Sequence, residues 1–233
     1  IYIEPFVGGG ALYWYLEPKN AVINDINQHL INFYEVLRDN YNELYNQLQN
    51  MILSKEYFDN IVKRLNNKEY KDKIEQASIF YYLNKTAFSG KWRENKQGKF
   101  NSSYGYYDKE NYKKLDNTYS KLLNRTEIYN TDYKTILDKY KNIKNAFVFL
   151  DPPYLDCDSF YTANQQFDNI YKYIFDFMKD CKCKIMLVVK ETEYINDLFK
   201  DYIVDSYNIN YRHNAVSEKI HKHLVITNYK NTY

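Results

Sequence analysis

Two kinds of apolar spacing alternate along this chain, and their order predicts its architecture. Short, mainly apolar runs read as strands: Ile1 to Ile3, Ala21 to Asp25, Glu127 to Asn130, Ala146 to Leu150, Lys184 to Val189, Ile203 to Tyr207 and Leu224 to Tyr229. Between them apolar positions recur three or four apart, the spacing of one helix face. Leu12 to Leu16 is helix-competent, and Leu30, Tyr34, Leu37, Tyr41, Leu44 and Leu48 predict a single long amphipathic helix. Ser54 is placed to cap the next, which carries Tyr57, Phe58, Ile61, Val62 and Leu65; a third carries Ile74, Ala77 and Tyr81 and ends near Asn84. Tyr112, Leu115, Tyr119 and Leu122 mark another, as do Tyr133 to Tyr140, and Phe167, Ile170, Tyr171, Ile174 and Met178. From Thr86 to Asp108 neither spacing applies. Gly90, Gly98 and Gly105 among polar and aromatic residues predict loops and a hairpin there. The expectation is an α/β chain whose strand–helix alternation is interrupted after its second strand.

Acids stand where three of these strands end, the place at which open α/β sheets bind ligands. Pro152 and Pro153 stop the strand 146–150 right after Asp151, and Tyr154 follows. The first strand leads into Glu4-Pro5-Phe6-Val7-Gly8-Gly9-Gly10, where consecutive glycines allow a tight turn and a close backbone approach to a ligand. The second strand ends on Asp25. A strand, a glycine loop, a helix and a strand ending in Asp form a unit suited to a nucleoside, with the acid on the ribose hydroxyls. Asp25 as the cap of the following helix is the bland alternative, and Asp132 has the same two readings, an adenine contact or the cap of 133–140.

Composition narrows the class. A chain of 233 residues can bury one sizeable core plus a small inserted subdomain. No apolar run approaches the roughly 18 to 20 residues that span a bilayer, and no signal pattern opens the chain, so no membrane association is expected. Cys157, Cys181 and Cys183 are sparse and odd in number, which argues against a disulfide framework and points to a reducing, cytoplasmic setting. Cys181-Lys182-Cys183 lacks a second ligand pair at zinc spacing, and His221 and His223 read as one face of a strand, so no metal is expected. Net charge is +2, but residues 85–125 hold ten Lys/Arg against four acids, an excess of +6 that leaves −4 elsewhere. With Phe88, Trp92, Phe100, Tyr104, Tyr106 and Tyr107 interleaved, that segment suits a phosphate backbone and stacking on bases. A solvated surface rich in Lys, Asn and Tyr is the alternative, in a chain with 28 tyrosines.

In order along the chain, EPFVGGGAL (4–12), INDIN (23–27), NKTAFSGKWREN with GKFN (84–101), DPPY (151–154) and HLVITNY (223–229) resemble the Dam-type DNA adenine-N6 methyltransferases over most of the length. The resemblance implies a Rossmann-like class I methyltransferase sheet with helices on both faces, formed by 1–30 and 126–233, and a target-recognition insert at 31–125. It implies a site-specific, adenine-specific DNA methyltransferase, of the kind met in restriction–modification, with S-adenosylmethionine as methyl donor and S-adenosylhomocysteine as product. Pro5, Phe6, Gly8, Gly10, Asp25, Asp132 and Asp151 are then the cofactor contacts. Asp151 and the Pro152 carbonyl would hold the amino hydrogens of adenine while Tyr154 stacks on the base, which must leave the duplex to be reached. Ser159 to Thr162 would close over it. Phe88, Ser89, Lys91, Arg93, Asn95 and Ser103 occupy the positions that meet DNA, Phe88 as a wedge and Arg93 as a reader of guanine. A monomer acting on double-stranded DNA, without metal, is expected. Two departures stand out: Lys190-Glu191 replaces the usual Ser-Asn after its strand, and the segment that precedes the first strand in related enzymes is missing. A trimmed chain is the expectation; a complete one would bind cofactor poorly. The alternatives are a methyltransferase of RNA or cytosine N4, and an inactive nucleic-acid-binding relative.

Overall fold

The computed structural model describes residues 1–153, 164–212 and 218–230. Tyr154 and the stretch Ser159 to Thr162 lie outside the described residues. In chain order the elements are β1 (Tyr2–Glu4), α1 (Ala11–Leu16), β2 (Ala21–Asn24), α2 (Gln28–Asp39), α3 (Tyr41–Gln49), α4 (Lys55–Asn66), α5 (Lys73–Thr86), α6 (Asn117–Leu123), β3 (Thr126–Tyr129), α7 (Tyr133–Tyr140), β4 (Phe147–Leu150), α8 (Asn164–Asp180), β5 (Lys184–Lys190), α9 (Glu193–Phe199), β6 (Ile203–Arg212) and β7 (Glu218–Thr227). The sheet order is β3-β2-β1-β4-β5-β7-β6.

Two compact units divide the chain, Ile1–Ile26 with Thr131–Tyr233, and Asn27–Asn130. The expected boundaries at 30/31 and 125/126 lie a few residues away from these.

In the first unit β2, β1, β4 and β5 run parallel, with Ile3 beside Val22 on one side and Val148 on the other. The apolar runs fill this centre: Ile3, Val22, Ile23, Val148, Leu150, Ile185 and Leu187 are all buried. β7 joins β5 antiparallel and β6 pairs with β7. These last strands are longer than expected, because their antiparallel pairing continues to Arg212 opposite Glu218, where alternating polar residues weaken the apolar signal. Chain direction settles the layers. The β1-α1-β2 connection steps toward one edge of the sheet and β4-α8-β5 toward the other, so right-handed crossovers put α1 and α8 on opposite faces. β1 and β4 therefore flank the point at which the winding reverses, and a crevice opens beyond their carboxyl ends.

The second unit is mainly helical, and two expectations change there. The single helix expected from Leu30 to Leu48 is two, α2 and α3, separated at Asn40 with φ −133° and ψ 38°. Asn favours such breaks because its amide competes with the helix for backbone partners. The stripe carries no trace of this, since Leu37 and Leu44 stay buried on either side. The helix expected through Tyr112 to Leu122 begins only after Asp116, whose carboxylate caps Thr118. Tyr112 sits instead in a short 3-10 turn, its hydroxyl donating to the Met51 carbonyl at 3.0 Å. Ser54 caps α4 as expected, accepting from the Tyr57 N–H.

Candidate active site and candidate nucleic-acid interface

Each side of the crevice in the first unit is built from a strand that stops on a polar residue. β1 delivers Glu4, which is 3% exposed, and then Pro5 and Phe6. The Tyr2 hydroxyl, two residues back on the same strand face, meets Glu4 Oε2 at 2.7 Å. Burial, with the Asp151 charge adding to it, pushes the Glu4 carboxyl up to about 7 against the opposing pull of that hydrogen bond. Tyr2 is raised in turn by its own burial and by Glu4.

The glycine loop follows. Gly8 and Gly10 have φ of 47° and 66°, conformations that L side chains rarely adopt. The two glycines differ in what a side chain would meet. A Cβ on Gly8 would face open space, whereas on Gly10 it would stand 2.8 Å from Trp14 Nε1, which itself donates to the Gly9 carbonyl at 3.0 Å. Gly10 thus makes room for an indole that braces the loop, and Gly8 keeps the space beside the loop clear of a side chain.

Asp25 does not cap the following helix. That cap is Asn27, whose Oδ1 accepts from the His29 and Leu30 N–H groups. Asp25 Oδ2 accepts instead from the Gly8 N–H at 3.0 Å, so the acid at the end of β2 is tied to the loop after β1. Asn24, buried, completes the framework: its Nδ2 donates to the Pro5 and Thr131 carbonyls and its Oδ1 accepts from the Thr131 N–H at 3.0 Å. Asp132 is the N-cap of α7, accepting from Lys134 N–H. Next to it Tyr133 packs its ring 4.8 Å from that of Phe6, making an aromatic wall. Burial, with Asp132 adding to it, pushes the Tyr133 hydroxyl up to about 12.

On the other side, β4 ends in exposed Asp151, buried Pro152 and exposed Pro153. The Pro153 carbonyl accepts from the hydroxyl of Tyr171, a fully buried residue of α8, at 3.0 Å. This anchor fixes the turn. Farther on, where Lys190-Glu191 departs from the expected pattern, Glu191 pairs with Lys222 Nζ at 2.9 Å and Thr192 caps α9.

Of the residues expected at this site, Pro5, Phe6, Gly8, Gly10, Asp25, Asp132, Asp151 and Pro152 all fall on loops after β1, β2 and β4 or at the start of α7. Glu4, Asn24, Tyr133 and Tyr171 went unassigned from sequence. Glu4 had a signal, a carboxyl closing an apolar run, as Asp25 and Asp151 do; Tyr171 had none beyond its place in a helix stripe. The features fit an adenosyl cofactor: a glycine whose missing Cβ leaves space, an aromatic wall, and carboxyls for polar or cationic groups. Among the described residues no cluster of three metal-ligating side chains occurs.

In the second unit the segment after α5 is a hairpin. Ala87 bridges Tyr104 and Glu94 bridges Phe100, and the tip closes from Asn95 to Lys99, with Gly98 at φ 70°. Asn95 shapes that tip, its Oδ1 accepting from the Gln97 and Lys99 N–H groups. The aromatic residues divide in a way composition did not predict. Phe100 and Tyr104 are buried, and half-buried Trp92 lies 4.7 Å from both Phe80 and Phe100, so these three anchor the hairpin rather than face a ligand. Asn66 of α4 clamps the Phe100 backbone with two hydrogen bonds of 2.8 and 3.0 Å. Phe88, Tyr106 and Tyr107 remain exposed, with Ser89, Arg93, Lys96, Lys99 and Ser103; Lys91 is half-buried. Phe88 opens a 3-10 turn in which Ser89 takes φ 57°, and its N–H donates to the Ser103 carbonyl at 2.8 Å.

The family described as D12 class N6 adenine-specific DNA methyltransferase matches residues 1–217. A type II methyltransferase of Paramecium bursaria Chlorella virus NC1A is 30% identical, over 98% of this chain and 89% of that protein. A type II methyltransferase of Lactococcus lactis subsp. cremoris is 29% identical, over 99% and 87%. A DNA adenine methylase of Vibrio cholerae serotype O1 is 26% identical over 70% of this chain and 58% of its own length.

Proposed function

Because the chain belongs to the D12 class of N6 adenine-specific DNA methyltransferases, we propose that the crevice beyond β1 and β4 holds S-adenosylmethionine and that Asp151 presents adenine N6 to it. The observation that carries this is the convergence, at the reversal of strand order, of a glycine loop tied to Asp25 with an Asp-Pro-Pro turn tied to Tyr171. Bound there, the cofactor supplies a methyl group activated by a sulfonium.

The protein supplies position and polarity. Adenine N6 is a poor nucleophile because its lone pair is delocalised into the ring. The Asp151 carboxylate and the Pro152 carbonyl accept the two amino hydrogens, which localises that lone pair and aims it. The Tyr171 hydroxyl holds the Pro153 carbonyl, which fixes the turn that carries Asp151 and Pro152. Asp25 accepts from a ribose hydroxyl while keeping the glycine loop in place, and Phe6 and Tyr133 flank the adenosyl group with Pro5, Gly8, Gly10 and Asp132 around it. Tyr154, outside the described residues, stacks on the target base. The transfer is direct and uses no metal; the nucleotide leaves the duplex at a cost of a few kcal/mol.

The hairpin of the second unit meets double-stranded DNA. Phe88 is an exposed apolar ring on a turn whose backbone is fixed at Ser103, a suitable wedge. Arg93 reads a base edge, while Lys91, Lys96, Lys99, Ser89 and Ser103 hold the backbone, and Asn95 acts through the shape of the tip. Among the described residues no helix is long and apolar enough to cross a membrane. The protein works as a monomer in the cytoplasm.

The test is Asp151→Ala. Methyl transfer falls by about 10³-fold or more, the order seen when a group acting in the transition state is removed, with an unchanged circular dichroism spectrum. A folded variant with undiminished turnover overturns the assignment.

A further inference from the structure

Glu4 is a buried carboxyl that the proposed chemistry leaves without a task. It lies at the end of β1, 3% exposed, in contact with the Tyr2 hydroxyl and within the electrostatic reach of Asp151. Both groups that act on it are acids. The titratable neighbours on the flanking strands are acidic as well: Asp151 after β4, and Asp25 after β2, which is engaged with the Gly8 N–H. A carboxyl buried to this degree, with the charge of Asp151 acting on it, does not ionise readily unless a cation comes near.

The cofactor of the preceding section is such a cation, and its charge is lost during the reaction. We propose that Glu4 gives up its proton when the sulfonium enters the crevice and regains one as that charge disappears. The inference rests on the cofactor reading above. The balance closes at both steps. On binding, neutral Glu4 becomes a carboxylate and the proton goes to solvent, so two carboxylates face one positive charge. In transfer, the sulfur–methyl bond breaks, the nitrogen–carbon bond forms, the proton leaving N6 goes to solvent, and Glu4 takes one proton back. The crevice then holds an uncharged sulfur and a single negative charge. Its net charge of −1 is the same before and after, so no uncompensated charge is created in a buried site. Tyr2 keeps the carboxyl solvated by one hydrogen bond in either state.

Calorimetric titration of the full chain in two buffers of different ionisation enthalpy counts the protons released. With the Glu4 carboxyl at about 7, S-adenosylmethionine at pH 7 releases about half a proton from this group, and Glu4→Gln removes that release while still binding. S-adenosylhomocysteine, which lacks the sulfonium charge, leaves the proton in place. Equal release by wild type and Glu4→Gln, or equal release with both ligands, overturns the proposal while leaving the cofactor site intact. If wild type binds neither ligand, the cofactor reading fails and takes this one with it. Should Glu4→Gln not fold, a pH series on wild type decides. Release that is largest near about pH 6 and gone by about pH 9 supports Glu4, whereas release that grows above about pH 8 comes from the ligand's amine and overturns the proposal.

Discussion

The two units place their candidate residues by opposite means. In the first, Glu4, Asn24, Asp25 and Asp151 sit at or just after the ends of β1, β2 and β4, and backbone hydrogen bonds lock the surrounding turns: Asn24 to Pro5 and Thr131, Asp25 to Gly8, Tyr171 to Pro153. In the second, the candidates stand on an exposed hairpin whose position depends on aromatic side chains packed beneath it, Trp92, Phe100 and Tyr104. A sheet end fixes a site by topology, while a hairpin on helices fixes one by packing. The first therefore suits chemistry that needs atoms held in place, and the second suits recognition, where a few exposed groups can change without disturbing the support.

The largest effect that separates these modes is on stability. Trp92→Ala removes a ring packed against Phe80 and Phe100, and is expected to cost about 3 kcal/mol in denaturant unfolding, the low end for a large aromatic because Trp92 is half-buried. Phe88→Ala, at an exposed position, changes stability by less than about 0.5 kcal/mol yet lowers activity on duplex DNA. If Phe88→Ala unfolds the protein as readily as Trp92→Ala, the division into anchors and wedge is wrong.

Smaller effects test recognition. Arg93→Ala should cost about 1 to 3 kcal/mol against the preferred site and flatten discrimination at one base position. Removing exposed Lys96 or Lys99 should weaken all duplexes alike and reduce the salt dependence by about one unit of slope each. A panel of singly substituted duplexes at two salt concentrations distinguishes them, and uniform loss with Arg93→Ala would make it a phosphate contact. Smaller again, Asp25→Ala should raise the dissociation constant for S-adenosylmethionine about tenfold, through the lost ribose contact and the released Gly8 N–H. An unchanged constant leaves Asp25 as a loop fastener alone.

The same contrast explains what the sequence could reveal. Strand-end residues were legible because an apolar run that stops on Asp151-Pro-Pro, or on Asp25, marks its own position, and the order of the motifs carried the family. Glu4 shared that mark, but its buried contact with Tyr2 becomes visible only when both lie on one face of β1. In the hairpin, composition showed aromatic and basic residues together without showing which way each ring turns, since that depends on packing partners outside the hairpin, Phe58 and Asn66 of α4 and Phe80 of α5. The break at Asn40 was hidden for a related reason, that burial on both sides preserves the helical stripe across it.

The proposed function turns on methylation of adenine N6 at the strand-end crevice through Asp151. DNA incubated with the protein and S-adenosylmethionine carrying a deuterated methyl group can be digested to nucleosides and resolved by mass spectrometry. Labelled N6-methyladenine from wild type and none from a folded Asp151→Ala protein is the expected result. Label on cytosine N4, or equal label on adenine with and without the Asp151 carboxylate, would contradict it.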